Sequence, residues 1–240
     1  PGQNMYLTFQ ATAGQRLGLG ISDLAVDNAT YPYIGVTAYT SGGSWLASTT
    51  CYVSTNGCGL NLSAATTGVY SVVFAPPTNG QTMSFKTTLS SDLAVTLSPD
   101  VPVNLSLSRR GQNGRLTFAG TAGGTVALQV AGPSTVHAGE RVYYTVYRPD
   151  GTVLTSMYVT TSANTLNLSN LPATGNYLVF VDPRYGVMAT SQVTLATGTT
   201  GDEEIDGGSG EYATTMPGQH AYLTFNATAG QRLGLGIGNL

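Results

Sequence analysis

A phrase of about twenty residues occurs three times in this chain, and no other feature limits its possible folds so tightly. PGQNMYLTFQATAGQRLGLGI opens at Pro1, GQNGRLTFAGTAGGTVALQV at Gly111, and PGQHAYLTFNATAGQRLGLGI at Pro217. The glycines at the head of each copy, Gly2, Gly111 and Gly218, stand 109 and 107 residues apart. Other landmarks keep that spacing: TAYTSGGSWL at Thr37 answers TVYRPDGTVL at Thr145, and TTGVYSVVFAPP near Thr66 answers ATGNYLVFVDPR near Ala173. A fixed period of this kind marks a tandem array whose units stack on their neighbours. Residues 1–24 and 217–240 differ at only five positions, while the middle copy has diverged widely, so the array repeats in A–B pairs of 216 residues. The spacing predicts repeat A over 1–109, repeat B over 110–216, and the start of a further A-type repeat over 217–240. The chain reads as cut from a longer polymer of repeats.

Inside a repeat the apolar period is two. MYLTFQA sets Leu7, Phe9 and Ala11 on one face, and RLGLGI sets Leu17, Leu19 and Ile21 on one face. VYYTVY, GVYSVVF and NYLVFV are rich in β-branched and aromatic residues, and TAGQ, SGGS, PDGT, PPTNG and DPRYG punctuate them as turns. No stretch carries helical periodicity. These features predict an all-β chain of tandem antiparallel β-sandwich repeats, Ig-like or jelly-roll-like, each of about 108 residues. Gly18 and Gly20 alternate with the buried leucines, which leaves one face of that strand without side chains. Two readings stand: a close approach by another backbone, or a flat outer face.

Composition narrows the partners. Charged residues make up 9% of the chain, against roughly 25% in an average soluble domain. One lysine and eight arginines against twelve acids give a net charge of −3, so no nucleic-acid partner is expected. No stretch reaches the length of a membrane span. Cys51 and Cys58, in CYVSTNGC, match neither a zinc nor a redox spacing, and are read either as a disulfide across a short hairpin in an oxidising compartment or as two free thiols in the cytosol.

The order of an aromatic strand, LTFQATAGQRLGLGI, then YRPDGTVL, then CYVSTNGC, then TGNYLVFV resembles the bacterial pre-peptidase C-terminal (PPC) domain and related Ig-like modules. The resemblance covers most of each repeat and rests on β-sandwich punctuation. It implies secretion, tandem arrangement in large bacterial surface proteins, and a non-catalytic accessory or adhesive role. Acidic residues that this family often carries before its central strand are missing from NATYPYIGVTAY.

Chemistry-bearing residues are few. His137 and His220 lie in different repeats, and Asp150 and Asp182 sit in PDG and DPR turns, where aspartate is first a turn former; no enzyme is expected. Asp202, Glu203, Glu204 and Asp206, in GDEEIDGGSGE, form the one charge cluster, read either as a solvated linker or as a calcium site stiffening the B-to-A junction. Trp45, the only tryptophan, stands beside Tyr39 at a hairpin tip, either as core or as a glycan platform. Tyr222, Leu223, Phe225, Leu233 and Leu235 mark two strands of the third copy, 219–226 and 231–237, which continue the chain or add to a neighbouring copy. Asn-x-Ser/Thr triplets occur at Asn28, Asn61, Asn104, Asn167 and Asn226, with Asn61 and Asn167 at equivalent positions. The expected partners are neighbouring copies or adjacent repeats, with glycans as a further class. Three functions compete: a structural module of an extracellular bacterial fibre or surface array, an adhesin or carbohydrate-binding stalk, and an accessory domain of a secreted enzyme.

Overall fold

The computed structural model describes residues 3–27, 30–55, 57–78 and 81–238; the Asn28 triplet falls outside them. Two antiparallel β-sandwiches follow one another along the chain. In the first, one sheet has the order β1 (Met5–Ala11), β6 (Gly68–Ala75), β3 (Tyr33–Tyr39) and β4 (Trp45–Tyr52). The facing sheet runs β5 (Cys58–Ser63), β2 (Arg16–Val26) and β7 (Met83–Ser91). Successive side chains of a strand point to opposite faces. Ile34, Val36 and Ala38 of β3 therefore meet Leu17, Leu19 and Ile21 of β2 in one core.

The second sandwich repeats the plan with two more strands. Its sheets are β13 (Val153–Val159), β12 (Val142–Tyr147), β15 (Gly175–Pro183), β10 (Gly114–Gly120) and β8 (Leu93–Thr96), facing β14 (Asn164–Leu168), β11 (Val126–Thr135), β16 (Ala189–Thr197) and β9 (Val103–Leu107). The same corner appears in both units: Tyr70 donates its hydroxyl to the Thr66 carbonyl at 2.8 Å, and Tyr177 donates to the Ala173 carbonyl at 2.7 Å. Each of these buried tyrosines stacks on a phenylalanine of the neighbouring strand, Phe9 at 5.6 Å and Phe118 at 5.2 Å between ring centres.

Three details depart from the sequence reading. The sequence period places residues 93–107 in repeat A, yet β8 pairs in parallel with β10, β9 pairs with β16, and Leu97, Leu105 and Leu107 lie in the second core. A repeat can be cut at any phase of its period, but a strand belongs where its apolar face is buried. The Cys51–Cys58 disulfide does not cross a hairpin. Cys51 lies on β4 and Cys58 opens β5, so the bridge ties one sheet to the other across an arch. In the third copy, β18 (Ala221–Phe225) pairs in parallel with β17 (Thr199–Glu203), whereas 231–237 form no strand. Nothing there supplies the partner that a strand's backbone groups require.

Candidate functional site

The joint between the two sandwiches concentrates the structure's close contacts and polar networks. Only Asp92 separates β7 from β8. Its amide donates to the Arg16 carbonyl of the first sandwich, at 3.0 Å, and the next amide, of Leu93, donates to the Asn113 carbonyl of the second, at 2.8 Å. The connection is therefore hydrogen-bonded on both sides of a single residue.

Glycines let the two bodies interlock. A Cβ on Gly18 would stand 1.6 Å from the Gly111 carbonyl oxygen, and one on Gly20 would stand 2.4 Å from the Arg110 backbone. Across from these, Gly59 of β5 faces Gly186, where a Cβ would come within 3.0 Å of backbone. Of the two readings of the RLGLG face, the structure shows the close approach: the 109–111 loop lies on it. Gly111 holds φ at +77°, a left-handed backbone that glycine adopts freely, and its amide donates to the Gly186 carbonyl at 2.7 Å.

Side chains bind the same surface. Arg110 donates to the Ile21 carbonyl at 2.9 Å, Arg109 to the Ser90 hydroxyl at 2.8 Å, and Gln112 to the Ser91 carbonyl at 3.2 Å. Asn113 donates to the Asn61 side-chain oxygen at 2.8 Å and to Asp92 at 3.2 Å, while Arg115 pairs with Asp92 at 2.9 Å. Asn61 in turn donates to Asp182 at 3.0 Å. Asn61, Asn113 and Asp182 also line a cavity of about 230 Å³, together with Tyr143 and Tyr185. Burial pushes the Asp182 carboxyl above its ordinary value; the Asn61 hydrogen bond opposes the shift and the nearby Asp92 charge adds to it. The arrangement orients and restrains; it sets no nucleophile against a base.

The next junction repeats the plan with weaker parts. Gly198 donates to the Thr125 carbonyl at 3.0 Å, as Asp92 does to Arg16, but brings no carboxylate. Asn167, the counterpart of Asn61, donates to the Gly218 carbonyl and accepts from the His220 amide, both at 2.9 Å. Gln219 reaches back to the Thr197 carbonyl at 2.7 Å. Ala127 and Gln129 stand where β2 has Gly18 and Gly20, so the interlock of the first joint cannot form in the same way.

Other candidates fall elsewhere. Trp45 is 65% exposed and sits directly across the strand pair from the half-buried Tyr39, so of its two readings core is excluded. Asp202 accepts from the Thr224 hydroxyl across the β17–β18 pair. Tyr212 is hydrogen-bonded to Glu203, which raises the tyrosine's pKa. Among the described residues, no three His, Cys, Asp or Glu side chains are grouped to hold a metal, these acids included. His220 is exposed, and His137 lies in a loop with φ at +69°. Tyr222 is half-buried, while Leu223, Phe225, Leu233 and Leu235 are exposed. Sequence reasoning missed Asp92, Arg110, Asn113 and Asp182 as joint residues. The one available signal was the paired arginine in SRRG, in a chain with so few cations.

No protein-family model matches the chain, and no curated protein does. Among solved structures it is similar to the M60 catalytic domain with the CBM51-1 and CBM51-2 domains from Clostridium perfringens ZmpB, at 8% identity, 81% of this chain and TM-score 0.28. The chain spans 34% of that structure's length. It is also similar to the CUB1-EGF-CUB2 domain of human MASP-1/3, at 10% identity, 81% of this chain, 94% of that one and TM-score 0.29. Likeness at this level carries no argument about what the chain does.

Proposed function

We propose that the chain is a non-catalytic structural module of an extracellular bacterial repeat array, in which the two β-sandwiches of each A–B pair are held at a fixed angle. The observation that carries this reading is the interlocked joint: a one-residue connection bonded on both sides, with glycine backbone against glycine backbone. A display stalk needs only a linker, whereas a load-bearing shaft needs rotation between beads to be blocked. The Cys51–Cys58 disulfide suits an oxidising compartment. The low charge, and the resemblance of the repeats to PPC-like modules, point the same way. Electron microscopy of the native material tests it. Regular filaments with an axial repeat of one or two sandwiches are expected; isolated beads that swing freely would overturn it.

A second reading has its own observation. The exposed Trp45 stands across from the half-buried Tyr39 on the β3–β4 hairpin, the kind of surface on which sugar rings stack. Under this reading the array displays a glycan-binding face, and Trp45→Ala abolishes saturable glycan binding without loss of folding. Unchanged binding in that variant removes the reading.

A further inference from the structure

Three of the nine cationic side chains in this chain meet in one groove. The groove, of about 600 Å³, is lined from both sandwiches, and its size and place are those of a ligand site. Arg16 and Asn61 belong to β2 and β5 of the first sandwich; Arg115, Phe180 and the turn after Tyr147, with Arg148, belong to the second. The three arginines come from unrelated positions of the repeat. Where Arg16, Arg115 and Arg148 stand, the equivalent positions of the other unit hold Thr125, Tyr6 and Thr40. The convergence is thus a property of the A-to-B joint, and the repeat by itself does not produce it.

Each guanidinium is held by its neighbours. Arg115 donates Nε to Asp92 at 2.9 Å, and its guanidinium carbon stands 5.0 Å from the Phe180 ring centre. Arg148 donates to the Thr152 hydroxyl and the Val153 carbonyl, both at 2.9 Å, and Arg16 donates to the Ser63 hydroxyl. These bonds occupy Nε of Arg115 and one terminal nitrogen of each of the other two, out of five N–H donors per guanidinium. Asp92 is the one acid among the described lining residues, and it also accepts from Asn113. Asp182 lines the neighbouring cavity, and the Asp150 carboxylate accepts from the Thr152 amide and hydroxyl at 2.8 and 2.6 Å. The groove lining therefore carries an excess of positive charge in a chain whose net charge is −3.

The same groove is lined by the half-buried Tyr147, Leu178 and Phe180 and by the amides of Asn61 and Asn176. Apolar surface suits the C–H face of a sugar ring, amides suit its hydroxyls, and a guanidinium fork matches a carboxylate. An acidic peptide would use the arginines but brings no ring to the aromatic lining. The geometry points to a binding site for a carboxylate-bearing sugar chain, of the uronic acid class, in the groove of the A-to-B joint. Arg16, Arg115 and Arg148 take the carboxylates, and Tyr147 and Phe180 take a sugar ring. The ligand touches both sandwiches at once, unlike one on the Trp45 face, which lies on the first sandwich alone. The site rests on the fixed joint of the array reading and fails separately from it: a rigid pair that binds no such sugar leaves that reading standing.

Titration calorimetry of the full chain with trigalacturonate tests the site, with neutral galactotriose and triglutamate as controls. One saturable site per chain is expected for trigalacturonate, weakened by added salt, and none for the other two. Arg16→Gln and Arg148→Gln should each weaken binding about tenfold, the worth of one charge-assisted bond, while Trp45→Ala leaves it unchanged. In the intact chain the amide resonances of Asn61, Ser63, Asn176 and Phe180 should shift on titration, which keeps the test decisive where a variant melts early. No saturable binding, shifts confined to other residues, or full binding in both arginine variants overturns the site. Equal binding of galactotriose overturns the role of the arginines, and equal binding of triglutamate gives the groove to an acidic peptide instead.

Discussion

Gly18 is where two opposing effects can be weighed against each other. Alanine replacing glycine inside a strand ordinarily stabilises by about 0.5–1 kcal/mol. Here the added methyl would stand 1.6 Å from a carbonyl oxygen of the second sandwich, and overpacking against backbone costs about 1–3 kcal/mol or more. Gly18→Ala is therefore expected to lower the melting temperature and to split one thermal transition into two, read by calorimetry. A higher melting temperature would mean that the sandwiches do not touch there. Asp182 gives the same joint a pH response. Its carboxyl, raised by burial first and by Asp92 last, binds its proton more tightly in the folded chain than in the unfolded one. The folded state is therefore favoured by this group below the ordinary value of 3.8, and that contribution is lost as pH rises through the raised value. Asp23, Asp100 and Asp150 are shifted down and act in the opposite sense, so the difference between two chains is the useful quantity. Asp182→Asn keeps an oxygen for Asn61 and removes the buried charge. It should melt higher than the wild type at neutral pH, with the gap narrowing on acidification.

Two devices at the scale of strands hold the sandwiches shut, the first of them in the first sandwich alone. The Cys51–Cys58 bridge links the sheets across a short arch, with both sulfurs buried. Its loss in a Cys51→Ser/Cys58→Ser chain should cost about 2–3 kcal/mol, measured by urea unfolding, with the first sandwich melting before the second. The tyrosine corner acts in both units, and Tyr70→Phe or Tyr177→Phe should each cost about 0.5–1.5 kcal/mol, the net worth of the lost hydrogen bond to the solvent-accessible Thr66 or Ala173 carbonyl. The strands themselves were legible, because alternation in MYLTFQA, RLGLGI and GVYSVVF reports a buried face directly. Their partners were not. Leu93, Leu105 and Leu107 read as strand residues in either repeat, and only the pairing with β10 and β16 assigns them. Residues 231–237 show the reverse limit: the alternation of RLGLGI that makes β2 a strand makes none here, where no β5 or β7 flanks it. The spacing of the two cysteines suggested a bond but could not distinguish a hairpin from an arch.

Across the whole molecule, the repeat in sequence becomes a repeat of joints. Asn61 and Asn167 occupy the same position in successive units and both bind the segment that opens the next one. The first joint adds the glycine interlock and the Asp92 pairs; the second keeps the backbone bond and loses both. An array of A–B pairs would then alternate a locked joint with a looser one, and bending would concentrate at every second junction. The bare face of RLGLG was visible in the sequence, but what lies against it was not, since Gly111 and Gly186 are far away along the chain. Small-angle X-ray scattering of the chain in solution tests the locked joint most directly. One rigid arrangement of the two sandwiches should reproduce the wild-type profile, and Gly18→Ala should enlarge the radius of gyration. A wild-type profile that only a spread of inter-sandwich angles can fit, unchanged by Gly18→Ala, would contradict it.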